Sequence, residues 1–191
     1  KGVRPKDAFA LIKALREKDH VDLPLLIMTY MNIPFTYGLE KFCRDAKKAG
    51  ADGLIVPDYN PDMENSDKFN ALARKHDLAL IRFLSFACTP ARIRLIGKNT
   101  PGFIYCFSIQ GITGARKMFE RGLAQRLRSI RKYFSVPLAI GFGISGAAQV
   151  RALRGAADIA VAGSAVINAF KIGGLAGARS KVRELVQACR K

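Results

Sequence analysis

A chain of 191 residues, 49% of them hydrophobic, is long enough for one domain with a real core. No apolar run approaches the roughly 20 residues needed to cross a bilayer, so a transmembrane protein is excluded and a soluble, cytoplasmic one expected. The 32 Lys and Arg against 15 Asp and Glu leave a formal charge of +17. These cations are spread over most helical stretches and no aromatics alternate with them as stacking platforms, which argues for solvated helix faces and against a nucleic-acid partner.

Residues 5–18 carry Phe9, Leu11, Ile12 and Leu15 at helical spacing, with Pro5 near the start. Leu23–Tyr30 is a continuous apolar strand, broken by Asn32 and Pro34. Tyr37–Ala49 reads as a helix stopped by Gly50, and Gly53–Val56 as a short buried strand closed by Pro57-Asp58. Ser66–Lys75 is helical, Leu78–Leu84 a strand, and Thr89-Pro90 caps a short helix through Ile96. Phe103–Phe107 is the next strand, followed by the glycine-bearing loop 108–117 and a helix over Glu120–Tyr133. Two more strands, Val136–Ile140 and Ile159–Ala162, precede helices at Ala165–Phe170 and Leu175–Arg190. The four cysteines, Cys43, Cys88, Cys106 and Cys189, are widely spaced and form no C-x-x-C pair, so no metal site is expected.

Strand and helix alternate six times, and the strands are apolar on both faces. That predicts a parallel sheet covered by helices, within a single, partial domain over 1–191. A (β/α)8 barrel takes eight such units and typically about 250 residues. Six strands are two short, so either the sheet is open or the first two units are missing.

The last two strands end alike. Val136–Ile140 runs into Gly141-Phe142-Gly143-Ile144-Ser145, and Ile159–Ala162 into Gly163-Ser164 and a helix start. Glycine lets a backbone N–H approach an anion closely, and a helix start carries partial positive charge. Paired ends of this kind, after the last two strands of such a barrel, point to a phosphate.

PLLIMTYMN at 24–32, YGLEKFCRDAKKAGADGLIVPD at 37–58, FSIQGITGAR at 107–116, IGFGIS at 140–145 and AGSAV at 162–166 resemble the tryptophan synthase alpha chain family, in order and over essentially the whole sequence. The resemblance implies a TIM-type (β/α)8 barrel, here truncated to about six βα units. It implies cleavage of indole-3-glycerol phosphate to indole and glyceraldehyde 3-phosphate in tryptophan biosynthesis. It also implies a beta-chain partner that holds pyridoxal phosphate, while the alpha chain itself carries no cofactor. On this resemblance Gly114, Gly143, Gly163 and Ser164 match the phosphate-holding backbone. Tyr30, Ile55, Tyr105, Thr113 and Phe142 match the indole pocket, and Asn32 a polar position near the same rim. Ile109 stands where the family usually has Arg. The family's catalytic pair, a Glu at the end of the second strand and an Asp in the following loop, would precede Lys1, which is not an initiator Met.

Releasing indole requires a proton delivered to the ring carbon and another taken from the glycerol hydroxyl, by groups within hydrogen-bond reach. Asp52, Asp158, His20 and His76 precede strands and belong to the opposite rim. Asp58 alone is a carboxylate directly at a strand's C-terminal end. It is a weak catalytic candidate and reads better as a loop or helix-start anchor. Two further readings stand beside the lyase: a non-catalytic phosphate-binding or beta-chain-binding remnant, and another phosphosugar-processing enzyme on the same barrel. A Schiff-base aldolase is disfavoured, because none of the six strands ends in an inward Lys.

Overall fold

The structure, a computed structural model, describes residues 2–59, 66–98, 100–107, 122–141 and 143–190. Its strands are β1 (Leu26–Met28), β2 (Gly53–Ile55), β3 (Ala79–Ser85), β4 (Ile104–Phe107), β5 (Leu138–Ile140) and β6 (Ile159–Ala160). They form a parallel sheet in sequential order, β1 to β6, as successive βα units of a (β/α)8-type fold dictate. The helices are α1 (Pro5–Glu17), α2 (Asn32–Tyr37), α3 (Leu39–Lys48), α4 (Ser66–Lys75), α5 (Pro90–Lys98), α6 (Leu123–Arg131), α7 (Ala147–Ala152) and α8 (Ser164–Cys189).

Two compact units divide the chain, Lys1–Ile81 and Arg82–Lys191, with the boundary inside β3. In the first, Phe42, Leu54, Phe69 and Leu80 are fully buried between helices and strands. In the second, Leu84, Ile104, Leu127, Leu138 and Ile140 are equally enclosed. Burying each such side chain contributes about 1.5–3 kcal/mol. Along β4 the alternation is plain: Ile104 and Cys106 are wholly buried in the helix-side core, while Tyr105 and Phe107 occupy the opposite face.

The strands are shorter than their apolar runs. Leu23–Tyr30 contracts to three residues because β2 offers only Gly53–Ile55 to pair with. Beyond it, the strand ends before Asn32 and Pro34 as expected, and a short helix, α2, follows. Pro34 is tolerated because it falls in the first turn, where a helix has no use for the N–H that proline lacks. The expected helix at Tyr37–Ala49 correspondingly begins at Leu39, after Gly38 (φ 91°). At the chain's end, Ser164–Cys189 is kinked at Gly173 and Gly174, whose φ of 56° is open to glycine, and so resolves into the two helical segments expected.

A repeated device ties the N-terminal ends of the strands. Arg16, in the last turn of α1, meets Asp52 just before β2 at 2.5 Å. Lys47, in the last turn of α3, meets Asp77 before β3 at 2.7 Å. Arg131, at the end of α6, lies 3.5 Å from Asp158 before β6. Asp52 and Asp158 also accept the N–H groups of Leu25 (2.7 Å) and Leu138 (2.8 Å). These carboxylates fasten one βα unit to the next, at the rim opposite the glycine-bearing strand ends.

Candidate functional site

The C-terminal ends of β5 and β6 leave the sheet in step. Ile140 and Ala160 are register partners, so Gly143 and Gly163 each lie three residues beyond a paired position. Gly143 has φ 52°, the left-handed region that favours glycine. Gly163 caps the start of α8 with φ −109°, which any residue adopts, and a Cβ there would meet nothing within 4 Å. Among the described residues, neither strain nor crowding therefore demands glycine at 163. Ser164 opens α8 and is exposed, at a helix start that carries partial positive charge. The Val166 and Ile167 N–H groups of that turn donate to the Gly163 carbonyl, at 3.0 and 3.1 Å.

The loop at Gly143–Ser145 is held from below by side chains that the sequence reading passed over. Gln149, on α7, is 6% exposed. Its Oε1 accepts the Ser145 N–H at 2.7 Å and the Ser145 hydroxyl at 2.9 Å, and its Nε2 donates to the Gly143 carbonyl at 3.3 Å. From α8, Lys181 donates to the Ser145 carbonyl (3.2 Å) and to Glu184 (2.6 Å), and Glu184 accepts the Ala147 N–H (2.9 Å) at the start of α7. Those two hydrogen bonds, that from Lys181 first, hold the Glu184 carboxyl below its ordinary range. The available signal was a Gln in the first turn of a helix following a Ser, a variant of the capping-box spacing.

On β4 the Tyr105 ring lies 5.0 Å from Phe83, which in turn lies 6.0 Å from Phe107. Burial raises the Tyr105 hydroxyl above its ordinary pKa. The ring packs directly over Gly141, where a Cβ would come within 1.7 Å of the phenolic oxygen. Phe83 and Phe107 were not singled out from sequence, although alternation within β3 and β4 puts them on the face of Tyr105.

In the first unit, Ile55 ends β2 half-buried, and its carbonyl accepts the Thr29 N–H at 3.0 Å. Tyr30, just past β1, is 65% exposed. Asn32 opens α2 and is exposed. Asp58 accepts the Met31 N–H with both oxygens, at 2.9 and 3.1 Å, anchoring the residue that caps α2. Thr113, Gly114 and Phe142 lie outside the described residues, as do residues 60–65 and Ile109. Among the described residues, no three His, Cys, Asp or Glu side chains converge as a metal site, and no helix is long and apolar enough to cross a membrane.

The full chain, residues 1–191, matches the family model of the tryptophan synthase alpha chain. It is 39% identical over 167 residues to the tryptophan synthase alpha chain of Caldanaerobacter subterraneus subsp. tengcongensis, covering 87% of this chain and 62% of that one. It thus spans less than two thirds of that relative's length. Among solved structures, one of Mycobacterium tuberculosis tryptophan synthase superposes with a TM-score of 0.88 at 30% identity, over all of this chain and 70% of the other. One concerned with the tryptophan synthase a2b2 complex of Pyrococcus furiosus gives 0.85 at 28% identity, over 97% and 75%.

Proposed function

The chain belongs to the tryptophan synthase alpha chain family, and on that premise we propose that it supplies the binding part of a lyase site for indole-3-glycerol phosphate. Gly143, Gly163 and Ser164, with Gly114, hold the phosphate through backbone N–H groups. Tyr105, with Thr113 and Phe142, receives the indole, and the family resemblance assigns Tyr30 and Ile55 to indole contacts as well. The observation that carries the proposal is the in-step departure of two glycine-bearing loops from β5 and β6, the second opening into a helix.

The reaction breaks the bond between the indole ring carbon and the adjacent glycerol carbon. A proton goes to the ring carbon and another leaves the hydroxyl that becomes the aldehyde, so atoms balance without water or an oxidant. Nothing in that sequence asks a cofactor of this chain. The two proton transfers do need a positioned acid and base. Asp58 is occupied with the Met31 N–H and is assigned an anchoring role. Following the family resemblance, whose catalytic Glu and Asp match no position of this sequence, the acid and base are assigned to a segment outside these 191 residues. The partner is a pyridoxal-phosphate-dependent beta chain that takes up the indole, and the compartment is the cytoplasm.

The test is indole release from indole-3-glycerol phosphate by the 191-residue chain, alone and with a family-type N-terminal segment supplied in fusion or in trans. One absent acid or base removes a factor of about 10²–10⁴, so the chain alone should release no measurable indole and the supplemented chain should recover activity. Substantial release by the chain alone that disappears in Asp58→Asn would overturn the assignment.

A further inference from the structure

We propose that Gln149 is the positioning residue of the phosphate cradle, fixing the Gly143–Ser145 loop in its receptive shape with help from Lys181 and Glu184. The inference rests on the phosphate-binding reading above and adds to it the means by which the loop is held. Gln149 touches no reacting atom.

Three observations converge on it. First, Gln149 is a buried amide at 6% exposure, and burying such a group is costly unless it is hydrogen-bonded. Second, its two ends grip different peptide planes. Nε2 holds the Gly143 carbonyl, in the peptide that enters Ile144, and Oε1 holds the Ser145 N–H, in the peptide that leaves it. Both planes around Ile144 are thereby pinned, and a planar trans peptide fixes its N–H whenever its carbonyl is fixed. Third, the pinned segment begins at a glycine with φ 52°, where the backbone has most freedom to turn over. An unpinned loop would spread its N–H groups over several directions, and an anion bound by them would pay to reorder it.

The support from α8 is independent of the amide. Lys181 reaches the Ser145 carbonyl, and Glu184 holds the Ala147 N–H. One helical run therefore does both jobs. Its first residues present Gly163 and Ser164, and its second half, beyond the Gly173-Gly174 kink, steadies the other loop. The Ser145 N–H and hydroxyl are both spent on Gln149, so the anion is served by its neighbours and not by Ser145.

The experiment measures the affinity of the 191-residue chain for glycerol 3-phosphate and, separately, for indole, by calorimetry. The variants are Gln149→Leu, Lys181→Met and Gly143→Val. Loss of the pinning hydrogen bonds in Gln149→Leu should weaken glycerol 3-phosphate about tenfold, the equivalent of about 1.4 kcal/mol, and leave indole within about twofold. Equal affinity for glycerol 3-phosphate, or an equal loss for both ligands, overturns the proposal. Should Gln149→Leu not fold, Lys181→Met at a half-exposed helical position carries the test. A loss of about threefold or more for glycerol 3-phosphate alone supports the proposal, and an unchanged value overturns it. If Gly143→Val weakens glycerol 3-phosphate while Gln149→Leu does not, the phosphate reading stands and the positioning role falls. If the unaltered chain has no affinity for glycerol 3-phosphate, both fall.

Discussion

Two glycines separated by about twenty residues do opposite work. Gly141 is there for the protein: Tyr105 fills the space a Cβ needs, and Gly141→Ala should cost about 1–3 kcal/mol in urea unfolding. Most of that loss should vanish in a Tyr105→Leu background, since residues in contact couple by about 0.5–3 kcal/mol. Additive losses would show that the two do not compete for one volume. Gly163 meets no such neighbour among the described residues. Both were visible in the sequence as glycines at strand ends, but their difference was not, because it depends on which ring arrives from β4. Gln149 was less legible still. A polar residue on a six-residue helix looks like a solvated one until its hydrogen bonds to Gly143 and Ser145 and its burial are seen.

At the level of elements, α7 depends on a neighbour. Its cap, Gly146, has no side chain to offer, and the Ala147 N–H is satisfied by Glu184 from α8. The Glu184 carboxyl is held below its ordinary value of 4.5 by Lys181, then by Ala147. A depressed carboxylate adds stability that is fully present above its unfolded pKa and is lost as pH falls through the folded value. The stability gap between the unaltered chain and Glu184→Gln should therefore be constant above about pH 5 and close as pH drops below about 4.5. A gap that widened on acidification would refute the ion pair. The six strands were readable from their apolar runs, α1 from helical spacing and α5 from its Thr89-Pro90 cap. The strand does end before Asn32 and Pro34, as read, but α2 itself was not legible there. What makes a helix there is Asp58 meeting Met31 across the ends of β1 and β2, a contact no local pattern encodes.

On the scale of the molecule, charge is unevenly distributed. Between Asp77 and Asp158 the sole carboxylate in the sequence is Glu120, against thirteen Lys and Arg, among them residues of α5, α6 and α7. Like charges so placed repel in the compact state and are screened by salt. Raising potassium chloride from about 20 to 300 mM should lift the thermal midpoint, each kcal/mol of relief appearing as about 2–4 °C. A falling midpoint would mean that the rim ion pairs outweigh the repulsion. Those pairs also bear on how the chain is made. Arg16 waits for Asp52, 36 residues later, and Lys47 for Asp77, 30 later. Arg131 waits in the same way for Asp158. Each of these three helices, α1, α3 and α6, can be latched only when the acid heading the strand after the next has left the ribosome. At about 5–20 residues per second that is a delay of roughly 2–7 seconds per unit. While β1, β2 or β5 is being made, the helix just before it is thus still waiting for its latch.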